Sequence, residues 1–154
     1  MRGAASTVDD RVPLLGAVVT AAGAGLTAAG VTSWFLIRRQ LVGERIVVEK
    51  DASHFAGARV SGPLTAYAEA EVINRHAMET SGGKPFAELG TGEPESDTVL
   101  TASFMRASLF TSVLAFGVAA LTTGLGVVLS LVGSALVRTA RSFQRSSRGG
   151  LGSR

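Results

Sequence analysis

The chain has 154 residues, 46% of them apolar but only 6% aromatic, and it contains no cysteine. That allows one small unit and excludes disulfides, thiolate metal sites, iron–sulfur clusters and Cys-based haem attachment. A net charge of +3 suggests a nucleic-acid partner until it is mapped: residues 138–154 hold five arginines and no acid, whereas 38–106 hold eight basic residues against ten acids, so the surplus is a local tail and not a folded basic face.

After a short N-terminal segment, 1–13, the run Leu14–Ile37 contains 24 positions without a charge. As a helix it would measure about 36 Å, enough to cross a hydrocarbon core of about 30 Å. Trp34 near its end and Arg38–Arg39 after it suit a membrane interface. A secretory signal fits poorly, because the apolar stretch is long, Asp9 and Asp10 spoil a basic leader, and no small-residue cleavage site follows. The second run, 107–137, has 31 uncharged positions, about 46 Å as a helix. The sequence therefore predicts an all-α membrane protein, a two-helix transmembrane hairpin. Its termini lie on one side, which the arginine tail identifies as the cytoplasm of a plasma-membrane protein. Residues 38–106 form an extracytoplasmic loop.

Neither span carries an ionisable group, which argues against an ion path or proton relay. Small residues that share a helix face at three- or four-residue spacing are the informative feature. Gly16 and Thr20, then Ala21, Gly25 and Ala29, recur along the first span. Gly117, Ala120 and Gly124, then Gly126 and Ser130, recur along the second. Such spacing lets helix backbones approach where lipid supplies no hydrophobic drive. The first span is small on nearly every side, so packing surface is left over for helices of other subunits.

Within the loop, residues 44–50 suit a short strand or extended stretch, and 51–61 read as irregular. Gly62-Pro63 starts a helix and Ser81-Gly82-Gly83 stops it, predicting a helix over 63–80. Its apolar stripe is Leu64, Tyr67, Ala70, Ile73 and Ala77, too thin to stand alone. Glu71, Arg75 and Glu79 are spaced for intrahelical pairing. We take Leu64, Tyr67, Ile73, Arg75 and His76 as a docking surface. Residues 86–98, with Gly90, Gly92 and Pro94, read as a linker, and Ser96 or Asp97 caps a helix that enters the second span. Arg106 would snorkel to the headgroups. The tail residues Arg138, Arg141 and Arg145 continue the helix and face anionic lipid headgroups.

No catalytic, cofactor-binding or metal-binding residue is predicted. His76 and Glu79 share one turn, but Glu69 is two turns away, and neither Glu-x-x-His nor His-Glu-x-x-His occurs. No Gly-x-Ser-x-Gly motif or phosphate loop is present.

The stretches VSGPLTAYAEAEVINRHAME and TASFMRASLFTSVLAFGVAAL resemble a family of small two-span actinobacterial membrane proteins, often labelled aromatic ring-opening dioxygenases, a label no residue here supports. The resemblance covers about residues 30–137. It implies a cofactor-free accessory subunit of the respiratory supercomplex of cytochrome bcc and cytochrome aa3, packed against larger integral subunits. The expected function is thus non-catalytic, by helix packing and by covering an extracytoplasmic surface. The alternatives are a stand-alone or homo-oligomeric envelope protein and a metal-dependent enzyme in the outer loop.

Overall fold

The computed structural model describes residues 3–89 and 95–149, with side chains over 11–89 and 95–142. The linker reading of Gly90, Gly92 and Pro94, the side chain of Arg145 and the last five residues lie outside the described parts. The protein is all-helical among the described residues. Helix α1 is Gly3–Gly43, α2 is Pro63–Thr80, a 3₁₀ turn is Phe86–Glu88, and α3 is Ser96–Gly149.

Both long helices overrun their apolar cores. Helix α1 has 41 residues and α3 has 54, about 60 Å and about 80 Å respectively. Each carries a stretch long and apolar enough to cross a membrane, Arg11–Gly43 and Ser96–Ser142, and only 17% of the most apolar window is buried in either. A soluble core helix would be mostly buried. Helix α1 continues through Arg38 and Arg39 to Gly43, so the first six residues after the first span are still helical and the loop begins later.

The chain divides into two compact units, one built from the residues up to Thr32 together with those from Ala119 onward, the other from Ser33–Val118. In the first unit α1 and α3 run antiparallel along a seam of glycines. Gly16 meets Gly133 and Val137, Gly23 meets Gly126 and Ser130, and Gly30 meets Ala119 and Thr123. The contact is backbone to backbone: a Cβ on Gly23 would lie 2.5 Å from Ser130 N and 2.6 Å from Gly126 O, and one on Gly126 would lie 2.5 Å from Thr27 N. No side chain fits there.

The seam hydroxyls are satisfied within their own helices. Thr20 and Thr27 donate to the carbonyls of Gly16 and Gly23 at 2.8 and 2.9 Å, and Thr123 and Ser130 to those of Ala119 and Gly126 at 2.8 and 2.9 Å. Back-bonding of this kind lets a hydroxyl sit in an apolar contact without an unmet donor.

The repeat differs from the four-residue ridges read in the sequence. Seam glycines recur every seventh residue, at 16, 23 and 30 and again at 126 and 133, with hydroxyl residues between them. A seven-residue repeat is the period of left-handed helix pairing. Of the ten small residues singled out above, Gly16, Thr20, Gly126 and Ser130 belong to the seam. A Cβ on Gly25, Gly117 or Gly124 would meet nothing within 4 Å, and Ala21, Ala29 and Ala120 are exposed.

In the second unit the core gathers Leu41 of α1, Val48 and Val60 of the intervening segment, Ala66 and Ala70 of α2, and Leu109 and Phe116 of α3. Trp34 stands edge-on to Phe116 with ring centroids 4.7 Å apart. Residues 44–50 form no strand. They make one antiparallel bridge, Val47 to Arg59, and hydrogen bonds Val48 N to Ala58 O and Val60 N to Ile46 O, each 2.9 Å, that turn both valines inward. Helix α2 begins where Pro63 presets the first turn, and Thr65 Oγ1 accepts the Ser61 and Gly62 amides at 3.0 and 3.2 Å. It ends at Gly82 and Gly83, whose φ values of 63° and 89° favour glycine, with Gly83 N donating to Met78 O at 2.7 Å.

Replacing Gly126 by leucine is expected to part the seam, costing about 2–3 kcal/mol or more as an overpacked contact. Gly124→Leu, facing outward, should stay within about 0.5 kcal/mol of the parent. Thermal unfolding of both variants in the same mild detergent, followed by circular dichroism, checks the contrast.

Candidate functional site: the outer face of α2

The buried face of helix α2 overlaps the stripe read in the sequence at Ala70 and Ile73 but is rotated away from Leu64 and Tyr67. Ala66, Glu69, Ala70 and Val72 are buried, Ile73 packs partly against the core, and Leu64 and Tyr67 point outward with 68% and 48% of their surface exposed. The reason is size. Two alanines let α2 approach the core closely, and leucine or tyrosine at those positions would hold it off. Tyr67 keeps one contact, edge-on to Phe110 at 5.7 Å. Arg106, read as reaching for headgroups, lies over the same Phe110 ring at 5.3 Å, a cation–π contact one turn along α3.

Burying Glu69 on this face needs a partner. Only 5% of it is exposed, and its Oε2 accepts the Glu49 amide at 3.0 Å. Burial pushes its carboxyl above the usual range, with the Glu49 amide pulling the other way.

Asp51 organises the opposite edge. Its Oδ2 accepts from Arg75 Nη2 at 2.6 Å and meets His76 Nε2 at 2.7 Å, and its own carbonyl takes a second bond from Arg75 at 3.1 Å. The His76 bond, then that of Arg75, holds the Asp51 carboxyl below its ordinary range. The intrahelical pairing expected of Glu71, Arg75 and Glu79 is therefore not what forms, because Arg75 reaches off the helix to Asp51. Neither Glu71 nor Glu79 has an ion-pair partner among the described side chains.

Between α2 and residues 52–55 runs an open groove of ≈ 640 Å³. Phe55, Leu64, Tyr67 and Met78 supply apolar surface, and Glu71, Arg75, Glu79 and His54 supply polar edges. Phe55 is half exposed and has φ of 60°, a left-handed conformation that costs a bulky residue on the order of 1–3 kcal/mol. Its turn is held by Gly57 N to Val48 O at 2.9 Å and Ala58 N to Phe55 O at 2.8 Å. Of the docking residues read from the sequence, Leu64, Tyr67 and Arg75 line this groove, Ile73 faces the core, and His76 sits on the Asp51 edge. Sequence reasoning missed Phe55 and Asp51, which reach the site through the fold of 44–61.

In the first unit a shallow crevice of ≈ 430 Å³ is lined by Ala17, Ala21, Ala24 and Val137 with Arg138 and Arg141 at one end. Among the described residues no group of three or more His, Asp or Glu is placed to hold a metal ion. No protein-family model, curated protein or solved structure matches the chain.

The buried charge on Glu69 yields a pH signature. A carboxyl whose folded value is raised binds its proton more tightly folded than unfolded, so stability falls as pH rises from the unfolded value through the folded one. Glu69→Gln keeps an acceptor for the Glu49 amide without the charge. Urea unfolding in detergent should find it more stable than the parent at pH 7, with the difference vanishing in acid below the unfolded carboxylate value.

Proposed function

We propose that this protein is a non-catalytic accessory subunit of a bacterial plasma-membrane complex. Helices α1 and α3 cross the membrane as a hairpin with both termini cytoplasmic. The segment carrying α2 lies outside, and Arg138 and Arg141 meet lipid headgroups beyond the second span. One observation carries this reading: the seam uses a single narrow stripe on each long helix. The outward stripes, with Gly25 and Ala29 on α1 and Gly117, Ala120 and Gly124 on α3, remain open to other helices. Small residues on an outward face of a membrane helix admit a neighbouring backbone.

Outside the membrane, α2 presents large apolar side chains over a polar-edged groove, a surface suited to bracing a larger subunit. The resemblance noted above points to the cytochrome bcc–aa3 supercomplex as the host, and no cofactor is assigned to this chain. Adhesion of this kind requires no ionisable group in the spans and no reacting centre in the loop.

Purification of the tagged protein from its native membrane in mild detergent tests the proposal. It is expected to migrate with a large species carrying haem absorbance. Gly25→Leu combined with Gly117→Leu should reduce that recovery severalfold while leaving the protein's own helix pairing intact. Migration of the parent protein as a small haem-free species would overturn the assignment.

A further inference from the structure

We propose that the groove between α2 and residues 52–55 docks a basic, aliphatic-rich segment of a partner protein. This rests on the reading of α2 as the extracytoplasmic docking surface and names the chemistry of what it takes. Glu71, Arg75 and Glu79 follow one another at four-residue spacing, and on an isolated helix the arginine would neutralise its neighbours. Here Asp51 withdraws it. Arg75 Nη2 bonds Asp51 Oδ2 at 2.6 Å and the Asp51 carbonyl at 3.1 Å, and no described cation replaces it beside Glu71 or Glu79. Arg75 and His54 also line the groove, but with Arg75 paired to Asp51 the exposed carboxylates of Glu71 and Glu79 leave a surplus of negative charge beside the apolar surface of Phe55, Leu64, Tyr67 and Met78.

The surface chemistry selects the occupant. Apolar walls with acidic edges complement a segment that alternates cationic and aliphatic side chains, and the aromatic rings of Phe55 and Tyr67 suit a guanidinium as well. Anionic membrane headgroups would be repelled by the same carboxylates. The half-exposed ring of Phe55 supplies the largest apolar surface that residues 52–55 bring to the groove.

The test uses the full chain in phosphatidylcholine nanodiscs with two fluorescent hexapeptides, Ac-Leu-Arg-Leu-Leu-Arg-Leu-amide and its counterpart with Glu in place of Arg, read by anisotropy against empty discs. The basic peptide is expected to bind protein-bearing discs above empty ones and to weaken with salt, and the acidic peptide is expected not to bind. Glu71→Gln with Glu79→Gln should weaken the basic peptide about tenfold. Asp51→Asn, which lies off the groove, should weaken it about threefold by releasing Arg75 toward Glu71 and Glu79, whereas Glu44→Gln, an equal loss of charge elsewhere, should not. Equal binding to empty discs, which would mean lipid contact only, equal affinity of the acidic peptide, or no change in the double variant would each overturn the proposal. If the protein still purifies with a haem-bearing complex after any of those results, the groove has failed and the accessory-subunit reading has not.

Discussion

The structure depends on two helix backbones coming within touching distance. At Gly23 and Gly126 each helix occupies the space where the other's Cβ would stand, and that mutual exclusion sets register and direction together. In lipid there is no hydrophobic gain from bringing two greasy helices together. The association instead comes from close van der Waals contact, which only an uninterrupted small-residue seam permits. The three threonines and the serine of the seam fit because each hydroxyl donates a hydrogen bond within its own helix, to the carbonyl four residues back.

From this follows a division of labour along the two long helices. One stripe is spent internally, while the remaining small positions and the large apolar side chains Leu121, Leu125 and Leu131 face outward. Further along, the same two helices contribute Leu41, Leu109 and Phe116 to the core on which α2 rests. Helix α2 is thin on its buried side, which lets it lie close and turns its bulkier residues to the exterior.

Much of this was legible in the sequence. The two apolar helices follow from uninterrupted length, and the bounds of α2 from Gly62-Pro63 and from Ser81-Gly82-Gly83, because proline and glycine act locally on φ. The seam was only half legible. Gly16, Thr20, Gly126 and Ser130 stand out by spacing, whereas Gly23, Gly30 and Gly133 look no different from the other glycines of the spans. In a helix rich in alanine and glycine several stripes look alike, and only the partner's position selects the seven-residue one. The site was less legible still. Arg75 had two carboxylates at ideal intrahelical spacing and took a third, Asp51, twenty-four residues earlier in the chain. Phe55 carries no signal for a left-handed backbone. Those features are made by the path of residues 44–61, which no local propensity dictates.

The proposed adhesion of the outward faces of the long helices to another membrane protein is open to photocrosslinking in the native membrane, with a photoreactive amino acid placed at Gly124, which faces away from the seam, and in parallel at Leu64 of α2. A covalent adduct between this chain and a larger integral membrane protein is expected from both positions. Adducts to lipid alone, or only to a second copy of this chain, would contradict it.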